Sequence, residues 1–126
     1  MRARSNVRVA AGVALTAGVA VLGGCAGAGD SGQPATTVAV TATDSACTLS
    51  DPTVPVGSVT VDVSNQGQTV TEVYVYGDGD SIVGEKEDIT PGSSAQFDVS
   101  LKAGGYTVTC KPGQTGDGIS STLTAK

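Results

Sequence analysis

From Val38 to the end of the chain, apolar and polar residues alternate with a period of two. Val38-Ala39-Val40-Thr41-Ala42, Val59-Thr60-Val61-Asp62-Val63, Val70-Thr71-Glu72-Val73-Tyr74-Val75-Tyr76, Phe97-Asp98-Val99-Ser100-Leu101 and Tyr106-Thr107-Val108-Thr109-Cys110 each follow this pattern, and Ile119 to Thr124 closes the series. Valine, threonine and tyrosine suit a pleated, half-buried surface, and strict alternation buries one face of a strand. Asn65-Gln66-Gly67, Gly77-Asp78-Gly79, Pro91-Gly92, Gly104-Gly105 and Pro112-Gly113 separate the runs as turns. Ile82 to Ile89 carries Glu85, Lys86, Glu87 and Asp88 and fits either an edge strand protected by charge or a loop with one helical turn. No segment carries an apolar stripe at helical spacing. The pattern predicts an all-β, antiparallel Greek-key sandwich over residues 38–126.

The first residues read differently. Arg2, Arg4 and Arg8 precede an apolar run from Val9 to Leu22, which ends in Leu22-Gly23-Gly24-Cys25. A basic start, a short apolar stretch and small residues before a cleavage point make a secretory signal peptide over residues 1–24. The run is shorter than the ~20 residues a membrane span needs. Its end resembles a bacterial lipobox, which implies that Cys25 receives the lipid and becomes the mature N-terminus. The expected location is extracytoplasmic, with the chain lipid-anchored to the bacterial cell membrane. Residues 25–37, rich in Gly, Ala, Ser and Pro, then form a flexible linker.

Composition narrows the chemistry. The 126 residues include no His and no Trp, and the only Met is Met1. A Ser-His-Asp hydrolase, a His-ligated zinc site and a type-1 copper centre all lack their residues. Loss of residues 1–24 would remove all three arginines and no acid, leaving four lysines against twelve carboxylates, a net charge of −8. Such a chain has no basic patch for nucleic acid. The expectation is a binding module and not an enzyme.

Three stretches look like a cupredoxin domain: Pro52-Thr53-Val54-Pro55-Val56-Gly57-Ser58-Val59-Thr60-Val61 running to Asn65-Gln66-Gly67, then Pro91-Gly92-Ser93-Ser94-Ala95-Gln96-Phe97-Asp98-Val99, then Gly104-Gly105-Tyr106-Thr107-Val108-Thr109-Cys110. A copper-transferring cupredoxin would continue with Cys, Pro-Gly-His and Met. Here Cys110-Lys111-Pro112-Gly113-Gln114 puts glutamine at the histidine position. A narrower resemblance is to the cupredoxin-like domain of the EfeO-type extracytoplasmic iron-uptake proteins. It is carried by Cys47, Glu72, the Glu85-Lys86-Glu87-Asp88-Ile89-Thr90-Pro91-Gly92 run and Gly105 to Cys110. The resemblance implies a metal set of Cys47, Glu72 and Cys110 for an iron or copper ion. A second strand glutamate of that family falls at Tyr74. The resemblance also implies a role in metal uptake, with a permease or a helical metal-binding protein as partner.

Two readings of the cysteines stand side by side. With Cys25 assigned to lipid, Cys47 and Cys110 form an even pair outside the cytoplasm, and a structural disulfide is one outcome. A pair of thiolates joined by Glu72 is the other. A bonded sulfur is not a thiolate ligand, so the two exclude each other. Glu72 has two readings as well. If Val73 and Val75 face the core it is solvated; if Tyr74 and Tyr76 do, it is a buried carboxylate that needs a cation or a donor. The acids Asp78, Asp80, Glu85, Glu87 and Asp88 read as solvated loop charge.

Overall fold

The structure is a computed structural model that describes residues 35–126. The expected signal peptide (residues 1–24), Cys25 and residues 26–34 of the expected linker lie outside the described residues. Nine strands follow: β1 (Thr36–Ala42), β2 (Cys47–Leu49), β3 (Thr53–Val54), β4 (Gly57–Asn65), β5 (Thr71–Tyr76), β6 (Ile82–Ile89), β7 (Ser94–Leu101), β8 (Gly104–Pro112) and β9 (Ile119–Ala125). A single 3-10 turn at Asp78–Asp80 joins β5 to β6. The strands form two sheets, ordered β2-β1-β4-β7 (sheet A) and β3-β9-β8-β5-β6 (sheet B). The chain visits β6 and β7 before β8 returns to the other side of β5, which is the Greek-key return the alternation predicts.

The sheets are mixed and not purely antiparallel. β1 runs parallel to β4, and β3 runs parallel to β9. The cause lies in the 47–54 segment. β2 pairs with β1, after which the chain crosses to sheet B as the two-residue β3 and crosses back into β4. A crossover of this kind returns the chain in the direction it left. Pro52 and Pro55 bracket β3 and keep it short, since proline cannot donate to a ladder. Such short strands carry no readable period. β1 starts at Thr36, inside the segment read as linker, because Thr36 and Thr37 already stand in register with Val59 and Thr60.

One side of each strand fills the space between the sheets. Val38, Val40, Val59, Val61 and Val63 from sheet A meet Val73, Val75, Val108 and Leu123 from sheet B, all buried. Valine dominates this core, so its depth is that of two short side chains. Ile82–Ile89 is an edge strand, as one of its two sequence readings expects, with register shifts opposite Glu72 and between Val75 and Tyr76. Asp88, in the left-handed region at φ 56°, sits in the first shift. Gly84 brings β6 close to sheet A; a Cβ there would stand 2.4 Å from Cγ1 of Val99.

Two polar side chains fasten the corners. Asn65 is buried; its Nδ2 donates to the carbonyls of Thr69 and Ile89, both at 2.8 Å, and its Oδ1 accepts from the Gly67 amide at 2.9 Å. The Tyr106 hydroxyl accepts from the Lys102 amide and donates to the Lys102 carbonyl, each at 2.9 Å, a tyrosine corner across the β7–β8 turn. Asn65→Ala leaves a donor and two acceptors without these partners and is expected to cost about 2–3 kcal/mol. Tyr106→Phe removes bonds at an exposed turn and is expected to cost about 1 kcal/mol. Denaturant midpoints at unchanged slope measure both.

Candidate functional site

β8 occupies the middle of sheet B, between β5 and β9. In this register Cys110 stands opposite Val73 on one side and Ile119 on the other, and it points into the core, where it is 0% exposed. Cys47 opens β2 in the facing sheet, opposite Ala42, and is 5% exposed. The two Sγ atoms are bonded at 2.05 Å, with the Cα atoms 5.6 Å apart. The bond therefore ties the edge of sheet A to the centre of sheet B. The Ser121 hydroxyl on β9 donates to the Cys47 carbonyl and holds β2 from the other side.

Glu72 lies elsewhere. Val73 and Val75 are fully buried, so the alternation of β5 sends Glu72, Tyr74 and Tyr76 to the outer face of sheet B. Glu72 stands in register with Lys111, one residue beyond Cys110 and therefore on the opposite face from it. The structure brings Cys47 and Cys110 together and does not bring Glu72 to them. Among the described residues, no three His, Cys, Asp or Glu side chains gather to hold a metal ion.

The rest of the loop that would carry the ligands in a copper-transferring cupredoxin is also committed. Gly113 donates its amide to the Val70 carbonyl at 2.7 Å, and Gln114 donates its own to the Lys111 carbonyl at 2.9 Å. The Gln114 side chain accepts from the Asp88 amide through Oε1 at 3.0 Å, clasping the β6 bulge. With Cys110 bonded to another sulfur, Gln114 engaged with the backbone and no histidine in the chain, the residues present do not fit a type-1 copper ion.

What the outer face of sheet B holds instead is a tyrosine-centred cluster. Tyr74 and Tyr76 stack with ring centroids 5.5 Å apart and planes 12° apart. Lys111 Nζ lies 4.7 Å from the Tyr74 ring centroid, a cation–π contact. The Tyr74 hydroxyl donates to Glu87 Oε1 at 3.3 Å. Burial, together with the negative charges of Glu72, Glu87 and Glu85, pushes the Tyr74 phenol up to about 12. Beside this ridge runs a groove of about 400 Å³ lined by Tyr76, Asp80, Thr107, Lys111, Asp117 and Ser120, among others. The sequence held a signal for the cluster: Tyr74 and Tyr76 two apart on one strand, and Glu85 and Glu87 two apart on a strand that pairs with it.

Removing the staple with Cys47→Ala and Cys110→Ala together is expected to cost about 4 kcal/mol, the chain-entropy value for a loop of this length, measured by chemical denaturation. Tyr74 makes a pH prediction. Its phenol ionises near 12 in the folded chain against an ordinary 10.0, so the folded state holds the proton more firmly. This contribution to stability is complete below pH 10.0 and is lost as the pH rises toward 12. Glu87→Gln is expected to lower the Tyr74 value, read from the ultraviolet phenolate titration by difference from Tyr74→Phe.

Comparison with known proteins agrees with the architecture. No curated protein sequence matches the chain. Among solved structures, the chain is similar to the reduced auracyanin of the photosynthetic bacterium Roseiflexus castenholzii, with a TM-score of 0.58 at 17% identity, over 75% of this chain and 99% of that one. A likeness at that identity speaks for the fold. The profile of the cupredoxin-like domain matches residues 13–125. By its sequence profile and its two-sheet topology alike, the chain belongs to the cupredoxin-like domain family.

Proposed function

We propose that this chain is an extracytoplasmic, lipid-anchored binding module that works by engaging a partner and holds no metal of its own. One observation carries this reading: the two sulfurs are bonded to each other inside the core while Glu72 faces out from the far side of sheet B. The cupredoxin fold typically holds copper. Here the position of the copper thiolate is a staple, and the position of the loop histidine is a glutamine that clasps β6. The basic start, the short apolar run and the lipobox-like Leu22-Gly23-Gly24-Cys25 support a place for the module at the outer face of the membrane, where disulfides persist. The resemblance to EfeO-type proteins supports a place in a metal-uptake system, in which a partner such as a permease or a helical metal-binding protein supplies the ligands. Nothing in this role requires the chain to be an enzyme.

The competing reading keeps Cys47, Cys110 and Glu72 as ligands for iron or copper. It requires both thiols to be free and β5 to present Glu72 on the other face, which would expose Val73 and Val75. The test uses the full chain with Cys25→Ala, so that Cys47 and Cys110 are the only cysteines. A thiol count after denaturation is expected to find none. Titration with Cu(I) and with Fe(II) or Fe(III) is expected to show no stoichiometric binding, and Glu72→Ala no change. Two free thiols with one-to-one binding lost in Glu72→Ala would overturn the proposal.

A further inference from the structure

The outer face of sheet B joins three features along one surface. A ridge of two stacked tyrosines runs along β5. A groove of about 400 Å³ follows β8 beside it. Carboxylates flank both, with Glu72, Glu85 and Glu87 around Tyr74 and Asp80 and Asp117 along the groove. Lys111 is the basic residue among those lining the groove, and its ammonium group already rests on the Tyr74 ring. The chain thus seats one of its own cations on a tyrosine of this face. Tyr76 repeats the arrangement one step along β5: it stacks against Tyr74, is half-buried, and lines the groove with Asp80 and Asp117. The groove floor offers hydroxyls from Thr107, Thr109 and Ser120, with the last two hydrogen-bonded to each other at 2.8 Å.

We infer that this groove is a docking site for an arginine- or lysine-bearing segment of a partner protein, with the cationic side chain lying against Tyr76 between Asp80 and Asp117. Charge complementarity selects this occupant. The segment from Ala26 onward carries four lysines and no arginine against twelve carboxylates, so a second copy of the chain has little to offer the groove, and an anionic lipid surface is repelled by it. A cation on an aromatic face gains most where water is partly excluded, and a flanking carboxylate fixes its position. The inference rests on the proposed function and gives its partner a chemistry.

The test uses the full chain with Cys25→Ala and a six-residue peptide of alternating arginine and glycine, followed by amide shifts in NMR. Shifts concentrated at Tyr76, Thr107, Thr109, Asp117 and Ser120 are expected. Tyr76→Ala is expected to weaken binding about fivefold. The double variant Asp80→Asn, Asp117→Asn is expected to weaken it at least as much. Asparagine tolerates the left-handed backbone of Asp80, at φ 58°, so this variant keeps the fold if Tyr76→Ala does not. Asp62→Asn with Asp98→Asn removes the same charge from the outer face of sheet A and is expected to leave binding unchanged. The inference fails if the sheet A pair weakens binding equally, which means diffuse charge attraction. It also fails if the groove responds to a neutral hexasaccharide and not to the peptide, or if the groove is covered by a second copy in solution. Metal titration separates the two proposals: stoichiometric copper or iron binding with free thiols sinks the proposed function, whereas loss of the peptide response alone sinks only the docking site.

Discussion

The side on which β5 and β8 present their residues governs everything else in this domain. Val73 and Cys110 stand opposite each other and point inward, and that one register assigns every neighbour. Val75 and Val108 go into the core, while Glu72, Tyr74, Tyr76, Thr109 and Lys111 go to the outer face. A slip of one residue would reverse all of these together, exposing three valines and burying a glutamate and a lysine. The cost of that exchange is what holds the tyrosine cluster on the surface and keeps the carboxylate of Glu72 away from the sulfurs.

The core that enforces this register is thin. Most of its buried side chains are valines, and its largest fully buried members are Leu101 and Leu123. A sandwich of this depth gains modestly from apolar burial, and specific polar and covalent contacts make up the difference. The Cys47–Cys110 bond joins the sheets, Asn65 satisfies the turn between β4 and β5, and the Tyr106 hydroxyl closes the turn into β8. No buried side-chain polar atom among the described residues is left without a partner, so the hydrogen bonds offset the cost of taking these groups out of water.

Much of this architecture is legible in the amino-acid pattern because valine-threonine alternation has a single physical meaning. The cores of β1, β4, β5, β7, β8 and β9 follow from it directly. The three residues of β2 and the two of β3 do not, since a period cannot be read in so short a run, and with them goes the crossover that makes two strand pairs parallel. Glu72 shows the limit for the site. Alternation places it with the tyrosines but does not say which side is wet; that depends on β8, a strand more than thirty residues away, offering Val108 and Cys110 to the same side as Val73. The glutamine of the Pro-Gly-Gln loop was readable as a missing ligand. Its hold on the Asp88 amide was not, because that contact spans 26 positions and depends on a bulge with no sequence signature.

The staple closes late. Cys47 and Cys110 are 63 positions apart, on strands of different sheets, and their sulfurs meet only where the β2 edge of sheet A lies against β8 of sheet B. Contacts so remote along the chain assemble slowly, because each demands that a long loop be closed first. Oxidation of this pair is therefore a seal applied to an assembled sandwich, and a chain whose two thiols have joined is one whose sheets have already met.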